Sequence, residues 1–417
     1  MKATTPWRGD QPLAVTRPIH STSGIKLLDV GTTVDRRALE HLAGNTLAEP
    51  LDQCIGGADW VQRQDVISVA REQVAAVPLL GHFDAGLGEQ SSRVWAALAA
   101  CPLPPAFMLH LTVARNSDQA LYEHGARAAF IGLFIGVSAG FTDADLQALA
   151  TAALLHDVGM MHIDSAPPDG RSLTASERQA LQRHTVIGQQ IASSEPTLDP
   201  SIAIAIAQHH ERIDGSGYPH GLRDAEIGLL ARVLMLVEIV SAVLDAPDSE
   251  PMRQLSMTLR ANHHNLDPAF SQVLLSALPP PRLPVAADFS KHPSELRRVG
   301  ALLAAWRIAS TGASSAEAPQ FAFVDERMQR LRRQVAEVRF DDGAATTAPE
   351  ATSILCAEMN ALGREALWQA RQIAYDAVQR WPDVGHHETL AGQSAVSEWI
   401  NATMRLTELP RSAGGAR

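Results

Sequence analysis

The run His209-His210-Glu211-Arg212-Ile213-Asp214-Gly215-Ser216-Gly217-Tyr218-Pro219 decides how this chain is read. Two adjacent imidazoles precede two acids and a turn too rich in glycine to continue a helix. Neutral imidazole is the commonest metal ligand among side chains. A Gly-Ser-Gly turn lets the backbone pass close to a ligand, because no Cβ intervenes, and Tyr-Pro stiffens its exit. The run therefore reads as metal ligands at a helix end, beside a tight loop over a pocket. A surface His-His pair ahead of an ordinary turn fits the same residues, so the rest of the chain must arbitrate. His386-His387-Glu388 repeats the triplet without such a loop and reads as surface.

Composition bounds the answer. The chain has 417 residues, 46% hydrophobic and 19% charged, enough for two or three domains with a sizeable core. A net charge of −11 argues against general binding to nucleic acid polymers. The cations are almost all arginine, the lysines being Lys2, Lys26 and Lys291. Cys54, Cys101 and Cys356 are far apart and odd in number, which suggests a reducing compartment and no zinc knuckle. Met1 to Pro18 has no apolar core of a signal peptide. The longest apolar run, Ala128 to Phe141, is too short to span a bilayer. A cytoplasmic protein with no membrane partner is expected.

Taken in order, residues 1–118 read as a small mixed region with a regulatory or adaptor role. Gly24 to Gly31 suggests a short strand and turn, Asp35 an N-cap, and residues 58–118 helices broken at Pro78, Pro102, Pro104 and Pro105. Residues 119–277 are helical and more regular. One helix from about Leu121 to Val137 carries His124. Thr142 and Asp145 form a capping box for the next, which ends at His156-Asp157. A second box, Thr174-Ala175-Ser176-Glu177, opens a helix that leads to His184. Ile202 to Ile206 alternates with period two, yet Asp199 as cap and Pro200 at the first helical position predict a helix delivering His209 and His210. A last helix, about Leu229 to Leu244, carries Glu238. Residues 278–289 are a proline-rich linker, and 290–417 a C-terminal helical region. There Val324, Met328, Leu331, Val335 and Val338 form a seam that suits packing inside a bundle better than a dimerising coiled coil. A homodimer remains among the assemblies this reading allows. The fold class expected is all-α, with the small mixed region in front and a helical extension behind.

His124, His156, Asp157, His184, His209, His210 and Glu238 all fall at helix ends or on core helix faces. This donor set is too large for one ion of ordinary coordination and suits two held close together, an arrangement that serves phosphoryl displacement. Nitrogen and oxygen donors without thiolate point to two divalent metal ions such as iron or manganese. Any one of these histidines alone is more often a packed or solvated residue.

With these residues assembled, residues 119–277 resemble an HD-GYP domain, a helical metal-dependent phosphohydrolase that cleaves cyclic di-GMP. Tyr122 and His124, Leu154-Leu155-His156-Asp157-Val158-Gly159, Leu173-Thr174, His184 to Gly188, His209 to Pro219 with Gly221-Leu222, Ile227 and Arg232, and Leu266-Asp267-Pro268 carry the likeness. The resemblance implies an HD-type helical bundle. It implies metal ligation by His124, His156, Asp157, His184, His209, His210 and Glu238, with Glu238 where the family has aspartate. It implies catalytic roles for His156 and Asp157, and substrate contacts from Gly217, Tyr218 and Pro219. The expected partners are cyclic di-GMP or another phosphoester, and signalling proteins. Three positions depart from the family. Met160 replaces a lysine, Ser241 replaces a second aspartate, and Asp245, Asp248 and Glu250 stand where the family places basic residues. These departures support an alternative, a catalytically weak member acting as a binding or scaffolding module.

Overall fold

The computed structural model describes residues 13–34, 36–57, 60–163, 175–245, 251–278, 294–311, 318–337, 349–381 and 395–407. The chain divides into two compact units. One comprises Met1–Ser165, Ala180–Ala242 and Asn265–Ala277; the other comprises Ala166–Gln179, Val243–His264 and Leu278–Arg417. Helices dominate both. Among the described residues no single helix is long and apolar enough to cross a membrane.

The first unit opens with short strands. β1 (Ala14–Val15) pairs antiparallel with β4 (Ile55–Gly56), and β2 (Ile19–His20) with β3 (Lys26–Leu28). Helix α1 (Arg36–Ala43) lies between β3 and β4 in the chain. Strands this short hold through their side chains: Val15, Ile19, Leu42, Cys54 and Ile55 form a small core. Leu109 and Val113 complete that core, and Met161 packs against it. Helices α2 (Arg63–Ala76), α3 (Pro78–Leu87), α4 (Ser91–Ala100) and α5 (Pro105–Ser117) come next. Pro78 and Pro105 each begin a helix at a position where no N–H is needed.

Helix α6 (Gln119–Ser138) is the axis of this unit. Asp118 caps it, its carboxylate accepting from Leu121 N at 3.1 Å. Phe130, Ile131, Leu133 and Ile135 are fully buried, each worth about 1.5–3 kcal/mol relative to exposure. The apolar run of the sequence is thus the core helix of the unit. Helix α7 (Asp143–Leu155) packs on it, with Thr142 Oγ1 accepting from Asp145 N at 3.2 Å as the cap. A Cβ on Gly125 would lie 2.7 Å from Leu154 O, so only glycine lets α6 approach the end of α7 this closely. That approach brings His124 beside His156.

The chain continues through α8 (Ala175–Ser193), α9 (Pro200–Gln208), α10 (Leu229–Asp245), α11 (Pro251–Ala261) and α12 (Pro268–Ser276). The period-two stretch is helical as expected. Asp199 accepts from Ser201 N at 2.8 Å, Ile202 and Ile206 are buried, and Ile204 faces out at 41% exposure.

The second unit gathers α11 with α13 (Ser294–Thr311), α14 (Ala318–Glu337), α15 (Pro349–Arg380) and α16 (Ala395–Thr407). Val324, Met328 and Leu331 are buried in one cluster with Trp306, Ala370, Ala374 and Trp399. The seam seen in the sequence therefore packs within the bundle at these three positions, while Val338 lies outside the described residues. The expected caps Asp35 and Thr174, the residues Leu173, Asp248 and Glu250, and the copy His386-His387-Glu388 lie outside the described residues.

Candidate metal centre

Helix ends of the first unit deliver His156, His209 and His210, and helix interiors deliver His124 and His184. His156 ends α7, and Asp157 leads into the tight turn Val158–His162. Gly159 in that turn lies against the backbone of His184, where any Cβ would collide. This contact seats the turn against the middle of α8. His209 ends α9, with His210 next. His124 and Glu238 project from the interiors of α6 and α10.

The seven residues converge. His124 Nε2 lies 3.0 Å from His156 Nε2, and His184 Nε2 lies 3.2 Å from His209 Nε2. Asp157 sits between the two pairs. Its Oδ2 is 3.7 Å from His124 Nε2 and 3.6 Å from His156 Nε2. Its Oδ1 is 3.3 Å from His184 Nε2 and 3.7 Å from His209 Nε2. Glu238 also spans the cluster. Its Oε1 is 2.9 Å from His156 Nε2 and 3.8 Å from His124 Nε2, and its Oε2 is 3.9 Å from His210 Nε2. Two groupings have metal-ligand spacing: Asp157, His184, His209 and His210, and His124, His156 and Asp157. Asp157 belongs to both.

The hydrogen bonds fix the chemistry of the rings. Nδ1 of His156, His184 and His209 each meets a backbone carbonyl three residues earlier, at 2.8, 2.7 and 2.7 Å. A carbonyl only accepts, so each Nδ1 must carry the proton. In the neutral rings Nε2 is then a bare lone pair. At His184 and His209 two such lone pairs face each other at 3.2 Å, which is repulsive unless a cation lies between them. A second group that orients a ligating imidazole through its other nitrogen is the usual arrangement at metal sites. The donor set thus suits a divalent metal ion.

Electrostatics agree. Burial would lower His156, but Asp157 and Glu238 outweigh it and raise this imidazole to about 9. Burial opposes the charge of Asp157, yet His156 and His209 hold it well below the usual carboxylate range. Glu238 is likewise held low against burial, by His124 and His156. Burial pushes His184 down, and His210 well down.

Around the cluster, the glycine loop behaves as its composition predicts. Gly217 passes so close to the backbone of Glu211 and Arg212 that no Cβ fits. Tyr218 stacks on His210, with ring centroids 4.6 Å apart and planes 23° from parallel. Pro219 comes directly after. Met160 donates its backbone N–H to Asp157 O at 2.8 Å and lies half-buried in the turn after it. Ser241 is buried one turn beyond Glu238, and its Oγ has no hydrogen-bond partner among the described residues. Glu238 faces the histidines and not Arg232. Arg232 instead donates to Asp267 at 2.9 Å and to Asp224 O at 2.6 Å, joining the loop to the start of α12. Two features escaped the sequence reading: this Arg232–Asp267 pair, and the burial of Glu211. Arg232 and Asp267 lie 35 residues apart, and the partners of Glu211 are backbone N–H groups, which leave no side-chain signature.

Comparison with known proteins agrees with this geometry. Residues 111–269 match the family model described as the HD domain. The chain is 32% identical over 143 residues to the cyclic di-GMP phosphodiesterase response regulator RpfG of Xanthomonas campestris, covering 32% of this chain and 38% of that protein. It is 30% identical over 158 residues to the 3'3'-cGAMP-specific phosphodiesterase 3 of Vibrio cholerae, covering 37% and 34%. It is 32% identical over 162 residues to a cyclic di-GMP phosphodiesterase of the same organism, covering 36% and 33%. The HD-domain match takes in all seven of the clustered histidine and carboxylate residues, His124 to Glu238. The match spans about a third of the length of these curated relatives.

Proposed function

We propose that this chain is a metal-dependent phosphodiesterase that hydrolyses cyclic di-GMP to linear pGpG or GMP. The observation that carries the reading is the pair of histidine groupings that share Asp157, with Nε2 of His184 and His209 3.2 Å apart. His124, His156, Asp157, His184, His209, His210 and Glu238 would hold two divalent ions, iron or manganese. Bound there, such ions supply Lewis-acid activation of water and of a phosphoryl group.

The chain's own residues do the rest. The carbonyls of Ala153, Leu181 and Ile206 fix the tautomers of His156, His184 and His209. Asp157 keeps both groupings in register. Gly217, Tyr218 and Pro219 would contact the substrate beside His210, the Tyr218 ring offering an aromatic surface to a nucleobase. The names of the relatives favour cyclic dinucleotides as the substrate class. Residues 1–118 and 290–417 flank residues 119–277 as a regulatory or adaptor region and a helical region.

The alternative, a scaffolding module with weak or absent catalysis, draws on Met160 and Ser241. Neither supplies the charge that its family counterpart would. The test is anaerobic reconstitution with Mn²⁺ or Fe²⁺, then turnover of cyclic di-GMP and of 3'3'-cGAMP. Release of linear dinucleotide supports the enzyme. Metal-replete protein that cleaves neither substrate, yet binds one, supports the scaffold.

A further inference from the structure

We infer that Glu211 is a positioning residue whose buried carboxylate clamps the Gly217–Pro219 loop against His210. Its consequence for substrate rests on the phosphodiesterase reading, whereas the clamp itself is read from geometry.

Glu211 is completely buried, a rare state for a glutamate unless its oxygens are well satisfied. Both oxygens are engaged by the backbone. Oε1 accepts from His220 N at 2.7 Å and Oε2 from Leu222 N at 3.0 Å. Hydrogen bonds to an ionised acceptor are about twice as strong as neutral ones. The two donors lie on the far side of the Tyr218–Pro219 turn, so one carboxylate closes the whole excursion from residue 212 to residue 219. Inside it, Gly217 presses against the backbone of Glu211 itself. Tyr218 N donates to His210 O at 3.1 Å while its ring stacks on His210. The loop is therefore pinned at the base by Glu211, in the middle by Gly217, and at the ring by Tyr218.

The chemistry of the pin is specific. Only an acceptor at both ends meets two N–H groups. Glutamine would turn an NH₂ toward one of them, placing two donors face to face. Aspartate keeps both acceptors but is one methylene short. The clamp is thus set by charge type as well as by shape.

The test uses the full chain, reconstituted with Mn²⁺, as wild type, Glu211→Gln and Glu211→Asp. Hydrogen exchange at the amides of His220 and Leu222 reads the clamp directly. In Glu211→Gln exchange should accelerate by about tenfold or more at these amides, while the α6 and α7 amides stay protected. KM for the cyclic dinucleotide should rise about tenfold with kcat within roughly twofold, and metal per chain should hold. Glu211→Asp should fall between wild type and Glu211→Gln in both readouts. Unchanged exchange at both amides in the two variants overturns the clamp. So does loss of metal, because Glu211 would then act through His210 and not through the loop. Wild type that turns over no cyclic dinucleotide ends the phosphodiesterase reading, while the exchange data still decide the clamp. Should Glu211→Gln fail to fold, Glu211→Asp alone decides: faster exchange confined to the two amides supports the clamp, and unchanged exchange rejects it.

Discussion

Glu238→Asp should weaken metal binding although it preserves the charge. An ion held between an imidazole nitrogen and a carboxylate oxygen, each at about 2.0–2.2 Å, separates the two by roughly 3 Å at a right angle and by no more than about 4.2 Å. The 2.9 Å between Glu238 Oε1 and His156 Nε2 meets that requirement. Removing one methylene retracts the oxygens by about 1.5 Å, to roughly 4.4 Å from His156. The carboxylate then lies out of reach unless α10 moves, and α10 is packed through Val233, Leu234, Val237 and Val240, all buried. Even partners one step removed from a ligand are worth about 10–100-fold in metal affinity. Loss of Glu238 as a direct ligand should therefore cost about a hundredfold, near 3 kcal/mol. The assay is dialysis against chelators of graded strength, with metal per chain measured for wild type, Glu238→Asp and Glu238→Ala. Equal occupancy in all three would remove Glu238 from the site and refute the reasoning.

Three further outcomes are expected. Asp157→Ala should strip most of the metal from both histidine groupings, because its two oxygens face one grouping each; a variant retaining wild-type metal content contradicts a shared ligand. Met160→Lys should raise turnover, since a cation placed beside a reacting phosphate lowers the barrier by roughly 2–4 kcal/mol; an unchanged rate means another group already serves. Metal uptake should release a proton. The imidazole of His156 is raised to about 9 in the metal-free protein, so below that pH an incoming ion displaces a proton, and apparent affinity climbs by about tenfold per pH unit until roughly pH 9. In the metal-free fold the same shift stabilises fully below 6.5 and fades as pH rises through about 9. Calorimetry at pH 7.5 in two buffers of different protonation enthalpy measures this, and identical heats would contradict it.

Much of the centre was legible because four of its residues, His156, Asp157, His209 and His210, sit where helices stop. His156 and His209 end runs whose caps, Thr142 and Asp199, are written in the sequence, so the helix ends could be placed within a residue or two. The alternation of Ile202 to Ile206 resolved as helix because a local cap and a first-turn proline outweigh a short period-two pattern. What stayed hidden depends on partners that carry no side-chain pattern. Glu211 looks like one more acidic ligand beside two histidines, yet its side chain turns the other way, to amides on the far side of a turn. The pairing of Ala14 with Gly56 joins strands of two residues, too short to leave a periodic trace. The seam at Val324, Met328 and Leu331 was read as bundle packing, but its partners Trp306 and Ala370 could not be named from its spacing.

The position of Met161 bears on how this chain can be cut and recombined. Asp157 and Met161 lie four residues apart in the same turn, one facing the metal centre and the other packed on the core of the N-terminal strands. Helix α5 contributes Leu109 and Val113 to that core and also packs on α6. A fragment begun at residue 119 would therefore lay bare the apolar underside of the very segment that carries Asp157. Chimeras that exchange front ends should keep residues 13–117 joined to α6 and α7, or supply a substitute greasy surface for Met161. A swapped front end that fits loosely would be felt first at Asp157, as slack in the part of the molecule that tolerates it least.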